Sequence, residues 1–309
     1  MKKDIIISRI KEKILPFLAE SRVFLDEPMS RHTSLRVGGP ADVFIYVEDI
    51  DELRMILKKA SMYRIPVAVI GAGTNILAGG KGVRGIVVKP GKAFGYVRHR
   101  KGELVCGASV SLSRLITETE KKGLGGLEFL VGIPATCGGA VIGNAGFPDE
   151  AIGDFVCSVK AMDYSGRIRN IGRRHLNFSY RNSSLRTKKM VILEVTFAGF
   201  RKTDPRFIRK RKEFLLKRRR DTQPTDIPSA GCVFKNSGTS SAGLLIDLAG
   251  LKGRKIGGAG ISEKHANFIV NYKGATSLQI TELIKEIRRK VERTFHEKLK
   301  LEIKKMGVF

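Results

Sequence analysis

The chain has 309 residues, 42% hydrophobic and 28% charged, with 57 Lys and Arg against 30 Asp and Glu for a formal charge of +27. That length excludes a peptide scaffold and accommodates two or three domains, and 34 glycines against 10 prolines point to tight turns rather than a disordered linker. The charge favours anionic partners, whether nucleic acid, a membrane surface or small molecules, while four cysteines with no CxxC pair or zinc-like spacing suit a reduced, cytosolic chain.

Apolar positions Ile6, Ile7, Ile10, Ile14, Leu15 and Leu18 follow a helical period, so a leading helix is expected over 4–20. Arg9, Lys11 and Lys13 interrupt the apolar run after Lys2-Lys3, so no secretory segment is expected, and nothing later is long and apolar enough to cross a membrane. A loop of hydroxyls, cations and glycines spans Arg31–Asp42. Val43–Val47, Asp49–Tyr63 and Ile65–Ile70 then read as a β-α-β unit.

The second of those strands runs into Gly71-Ala72-Gly73-Thr74-Asn75, where glycines leave main-chain amides free to converge on an anion. The third glycine of the dinucleotide fingerprint is missing and Gly79-Gly80-Lys81-Gly82 is another turn, so a Rossmann site is not expected. Strands are predicted at 86–88 and within 94–108, and a helix over 111–122 ended by Gly123. A second glycine-rich stretch, Leu127–Gly146, has few polar side chains and reads either as a buried loop or as a site made of backbone and shape.

Strands return at 156–164 and 190–198, separated by Asn177–Ser184, where Arg181 could grip a carboxylate or phosphate or simply cap a loop. Composition changes at 199–203, ahead of a basic helix over 204–219 that keeps Phe207, Ile208, Leu215 and Leu216 for an apolar side and reads as a solvated face rather than a nucleic-acid patch. A helix near 241–249, a turn at Gly257–Gly260, a strand at Ala266–Tyr272, an amphipathic helix carrying Ile280, Leu283, Ile284, Ile287, Val291 and Phe295, and a strand at Leu299–Met306 complete the chain. Between the basic helix and these elements lies Ser229-Ala230-Gly231-Cys232-Val233-Phe234-Lys235-Asn236. Here a thiol follows a bare Ala-Gly pair and precedes a cation and an amide, so the stretch is either a tight turn into a strand or a reaction centre.

Taken in order, Leu35–Ala41, Gly71–Asn75, Gly132-Ile133-Pro134 with Gly138-Gly139-Ala140 and Asn144-Ala145-Gly146, Tyr180–Ser183, Gln223-Pro224 with Ser229–Asn236, and Leu251–Gly253 with Ile256–Gly258 resemble the UDP-N-acetylenolpyruvoylglucosamine reductase family, flavoenzymes of cell-wall precursor synthesis. The resemblance implies an α+β fold. An N-terminal helix in 1–29 would precede a two-lobed FAD-binding domain of the vanillyl-alcohol-oxidase (PCMH) type over 30–200, with lobes at about 30–92 and 93–200 and a C-terminal α+β substrate-binding domain over 201–309. FAD would be held mainly by main-chain amides, with Arg36, Gly38, Gly39, Gly71, Ala72, Gly73, Thr74, Asn75, Gly132, Ile133, Pro134, Gly138, Gly139, Asn144, Ala145 and Gly146 as its contacts. No metal is expected.

The family reaction implied takes hydride from NADPH through FAD to the β-carbon of UDP-N-acetylglucosamine enolpyruvate, and a proton goes to the α-carbon. The donor is a serine in most members; here that position is Cys232, and Ser229 is not its equivalent. A thiol, with an unperturbed pKa of about 8.5, gives up a proton more readily than an alcohol. Arg181 and Glu302 would hold the substrate carboxylate and the developing enol, with Glu297 out of register. Tyr180, Arg218 or Arg219, Gln223, Lys235 and Asn236 would meet the UDP-sugar.

Residues 199–228 leave no room for the tyrosine-bearing loop of one class, so the shorter class is implied. Ala135, Phe147-Pro148 and Ser237 depart from the usual residues. A cytoplasmic monomer with no nucleic-acid partner and no membrane insertion is expected. The competing readings are another flavin oxidoreductase of this fold and a basic nucleic-acid-binding protein.

Overall fold

A computed structural model describes residues 3–100, 102–147, 149–236 and 240–309; Pro148 and Ser237, two of the departures noted above, lie outside the described residues. The chain forms two compact units that interleave along the sequence. The first comprises Met1–Leu25, Val43–Ala72 and Gly85–Lys217, the second Asp26–Asp42, Gly73–Arg84 and Arg218–Phe309.

The first unit has two cores. One gathers Ile6, Ile10 and Ile14 with Val43, Ile45, Leu53, Ile56 and Ile86. Helix α1 (Lys3–Lys13) stops short of residue 20, giving way at Pro16 to a single 3-10 turn, Leu15–Phe17, because proline lacks the amide an α-helix needs. Helix α2 (Ile50–Met62) starts where Asp49 accepts a hydrogen bond from the Glu52 amide (2.7 Å). The sheet here has the order Val23–Pro28, Pro40–Val47, Val83–Pro90, Val67–Val69, with the last pair parallel, so the β-α-β crossover spans one intervening strand.

The second core lies under a five-stranded antiparallel sheet ordered Ile168–Gly172, Val156–Asp163, Met190–Phe197, Glu103–Gly107, Val97–Arg100. Its helices are α3 (Leu112–Lys121), capped by Ser111 on the Arg114 amide, and the short α4 (Cys137–Ile142), capped by Thr136 on the Gly139 amide. The glycine-rich stretch is therefore part helix, which its composition hid. Helix α5 (Pro205–Thr222) packs Leu215 and Leu216 against this unit's core and buries Ile208.

The second unit has its own core, built from Leu35, Val37, Leu77, Phe234, Ile246, Ile269 and the inner face of α7. Helix α6 (Ala242–Leu248) is capped by Ser241, and α7 (Ser277–Phe295) opens on a Thr276/Gln279 capping box. Strands Ser229–Cys232, Phe268–Asn271, Ala259–Ile261 and Lys255–Ile256 form a sheet in that order. The predicted strand over Leu299–Met306 is shorter than expected. Only Lys304–Met306 is strand, parallel to Ile76–Ala78, while Leu301 makes a single antiparallel bridge with Phe234. The segment changes partner at Glu302, and a strand cannot hold two registers at once.

Candidate active site

In the second unit the strand carrying Cys232 is bulged. Ser229 faces Val270 and Cys232 faces Phe268, so three steps on one strand match two on the other. Gly231 takes up the extra residue at φ +76°, a region costly for any residue with a Cβ, and nothing lies within 4 Å of where that Cβ would be. The half-buried thiol residue thus directly follows bare backbone that has open space beside it. Behind it, buried Asn267 clamps Phe234, accepting from its amide (2.9 Å) and donating to its carbonyl (2.8 Å), while the Asn267 carbonyl takes the Val233 amide (2.8 Å).

Glu302 is joined to this strand directly: its amide donates to the Val233 carbonyl (2.8 Å), and Lys235 donates to the Lys300 carbonyl (2.8 Å). Asn75 is joined to the same place. Its side-chain amide donates to the Glu302 carbonyl (3.3 Å), and its own carbonyl accepts from Lys304 (2.9 Å). The Arg31–Asp42 loop is anchored here too, Ser34 donating to the Ser229 carbonyl (2.6 Å) and Asn271 to the Leu35 carbonyl (3.1 Å). Of the proposed nucleotide-sugar residues in this unit, Asn236 accepts from the Ala242 amide (3.1 Å), Arg218 is exposed in the last turns of α5, and Gln223 closes that helix on the Arg219 carbonyl (2.8 Å).

Five consecutive amides, those of Gly71, Ala72, Gly73, Thr74 and Asn75, donate to no acceptor among the described residues. Backbone donors are nearly always satisfied in folded proteins, and Gly73 is buried, so this run is suited to a ligand rich in oxygen acceptors such as a pyrophosphate. In the first unit the Gly132 and Gly146 amides are in the same condition among the described residues. Cys137, Gly138 and Gly139 are not: their amides go to the Val110 carbonyl (2.7 Å), the Ala108 carbonyl (3.0 Å) and the Thr136 hydroxyl (3.3 Å).

Arg181 sits at the tip of a tight turn closed by reciprocal hydrogen bonds between Ser179 and Asn182 (3.1 and 3.0 Å). Its backbone is left-handed, φ +53°. Its Nη1 donates to the Gly146 carbonyl (2.6 Å) and its guanidinium lies 5.7 Å from the Tyr180 ring. Asn144 holds the turn from below, donating to the Ser179 carbonyl (3.0 Å) and accepting from the Gly153 amide (3.0 Å), and buried Ser183 donates to the Ile142 carbonyl (3.0 Å). The side chains of Asn75 and Asn144, read from sequence as cofactor contacts, are therefore engaged within the protein.

Sequence reasoning passed over Thr136, Ser34, Asn267 and Asn271. The available signals were weak: a hydroxyl three residues before a glycine, and amides interrupting the apolar run Ala266–Val270. Of the other cysteines, Cys106 and Cys137 are buried. A hydrogen bond donated to Cys106, together with burial, holds the Cys137 thiol well above its ordinary range, so it stays protonated and unreactive.

Two family models match the chain: "FAD binding domain" over residues 41–172, and "UDP-N-acetylenolpyruvoylglucosamine reductase, C-terminal domain" over residues 223–306. The chain is 42% identical over 286 residues to the UDP-N-acetylenolpyruvoylglucosamine reductase of Moorella thermoacetica, covering 93% of this chain and 94% of that one. It is 38% identical over 304 residues to the protein of that name from Caldanaerobacter subterraneus, covering 98% and 99%. The crystal structure of the Thermus caldophilus UDP-N-acetylenolpyruvylglucosamine reductase superposes with a TM-score of 0.78 at 33% identity, over 92% of this chain and 98% of that one.

Proposed function

This chain belongs to the UDP-N-acetylenolpyruvoylglucosamine reductase family, FAD-dependent oxidoreductases of peptidoglycan synthesis with a PCMH-type flavin domain, and from that premise we propose that it uses NADPH to reduce UDP-N-acetylglucosamine enolpyruvate to UDP-N-acetylmuramate in the cytoplasm. What carries the reading is one connected feature, Gly73–Asn75 with the neighbouring strands of the second unit. The donor-rich loop ends at Asn75, Asn75 is hydrogen-bonded to Glu302, and Glu302 is hydrogen-bonded to the residue after Cys232. An anion-binding loop and a proton-donating centre are thereby built on the same few strands.

FAD, when bound, supplies hydride transfer between nicotinamide and the enolpyruvyl carbon. We assign it to 30–200 together with the amides of Gly71–Asn75, Gly132 and Gly146, which need acceptors; 201–309 would take the substrate. Cys232 holds the proton that the α-carbon requires, presented by the bulge at Gly231. Arg181 meets the substrate carboxylate, where negative charge grows as the double bond is reduced, so its charge helps more in the transition state than in the ground state. Glu302 polarises the developing enol, and Tyr180, Arg218, Gln223, Lys235 and Asn236 hold the nucleotide-sugar.

The test is the visible spectrum of the purified protein under anaerobic conditions. A flavin spectrum that bleaches on adding NADPH and returns with the enolpyruvyl substrate supports the proposal. Recovery with oxygen alone would transfer the protein to another flavin oxidoreductase activity, and a colourless protein that cannot be reconstituted with FAD would overturn the reading.

A further inference from the structure

Helix α5 has two apolar sides and one core to bury. Ile208, almost fully buried, with Leu215 and Leu216, meets the needs of the first unit. Phe207 and Phe214 are left 69% and 65% exposed, and seven residues, or two turns, separate them, so both rings leave the helix on one side about 10 Å apart along the axis, Phe207 also bordering a cleft with Ile208, Arg211 and Phe155. The cations divide in the same way. Arg209 and Lys212 both bind Glu120, Arg209 at 3.0 Å, and Arg211 binds Glu150 (3.1 Å). The hydrogen bond from Lys212, joined by that from Arg209, holds the Glu120 carboxyl below its usual range.

Outward, among the described residues, Arg206 pairs only with half-buried Asp204, and Lys210 and Lys217 have no carboxylate partner, although Glu213 shares the helix. An exposed Phe pair among lysines that stand one helical turn from Glu213 without pairing to it is poorly matched to water. It is also poorly matched to a nucleic-acid duplex, which offers phosphate but keeps its bases stacked inside. An anionic bilayer offers headgroup charge and a hydrocarbon boundary together, and the net charge of +27 draws the whole protein toward it.

We propose that the outward face of α5 is a peripheral docking surface for anionic phospholipid, with Phe207 and Phe214 seated among the headgroups and Lys210 and Lys217 on their phosphates. No helix among the described residues is long and apolar enough to cross a membrane, so this contact is reversible and one-sided.

The test is sedimentation of the full-length protein with vesicles of phosphatidylcholine containing about one third phosphatidylglycerol, against vesicles of phosphatidylcholine alone, at about 0.15 M salt. Binding to the mixed vesicles is expected, with little to the neutral ones. Phe207→Ser with Phe214→Ser should lower the partition coefficient by about tenfold or more. Lys210→Gln with Lys217→Gln should lower it about 25-fold, roughly fivefold per lysine. Both pairs should keep the wild-type far-UV circular dichroism spectrum and turnover. No sedimentation with mixed vesicles, equal binding to neutral vesicles, or variants that bind like wild type would each overturn the proposal. So would lysine and phenylalanine variants that lose affinity for a single-stranded RNA oligomer while vesicle binding is absent.

Discussion

A thiol is a useful acid only where a substrate can reach it, and Cys232 differs from Cys106 and Cys137 in that respect: they are buried, whereas it is half-buried and follows a glycine whose Cβ position is open. Cys232→Ala should lower turnover of the enolpyruvyl substrate by about 10²–10⁴-fold, the usual contribution of a positioned general acid. The rate at which NADPH bleaches the flavin should not change, since that step needs no proton at the α-carbon. Cys232→Ser should recover part of the loss. Rapid-mixing absorbance separates the two half-reactions, and full turnover by Cys232→Ala would remove this residue from the mechanism. The candidate was legible because a thiol, a bare glycine, a cation and an amide are adjacent in sequence. The engagement of Asn75 was not, because its partner, the Glu302 carbonyl, is 227 residues away and no local pattern encodes it.

The elements best read from sequence are those whose periodicity and caps agree. Helices α2, α3 and α7 lie within a few residues of their expected spans because Asp49, Ser111 and Thr276 cap apolar stripes of helical period. Helix α4 is hidden by its glycines, and the Lys255–Ile256 and Ala259–Ile261 pair looks like a bare turn in sequence because each strand is too short to show alternation. The turn bearing Arg181 depends on another element altogether, through Asn144, whose own backbone is left-handed at φ +44°. Asn144→Ala removes two hydrogen bonds and puts alanine in a left-handed backbone that asparagine or glycine adopts more readily, costing about 2–4 kcal/mol in urea unfolding. Asn144→Gly restores the backbone tolerance but not the hydrogen bonds, so it should recover about 1 kcal/mol of that loss. Both variants should raise KM for the enolpyruvyl substrate about tenfold, with a smaller effect on kcat, because the Arg181 tip is loosened rather than removed. An unchanged KM in Asn144→Gly would show that the turn holds without it.

On the scale of the molecule, a division at residue 200 treats the domains as consecutive, whereas the compact units take Asp26–Asp42 and Gly73–Arg84 into the C-terminal one and keep α5 as far as Lys217 in the first. Composition changes at 199–203 mark where a new helix begins; they carry no information about which distant segments it shares a core with. Net charge, by contrast, is fully legible and acts on the whole molecule. At +27 the folded chain repels itself, and the same field attracts FAD, NADPH and a UDP-sugar, all anions. The two effects respond to salt in opposite senses. Raising sodium chloride from about 0.02 to about 0.5 M shortens the screening length from roughly 20 Å to 4 Å, which relieves self-repulsion and weakens long-range capture. The thermal midpoint should therefore rise with salt while kcat/KM for the nucleotide-sugar falls severalfold, read by calorimetry and steady-state kinetics on the same samples. Neutralising Lys210 and Lys217 removes two charges of many, so their double variant should keep the kinetic salt slope of wild type. If that slope collapsed, anion capture would reside on the outward face of α5 rather than in the field of the whole protein.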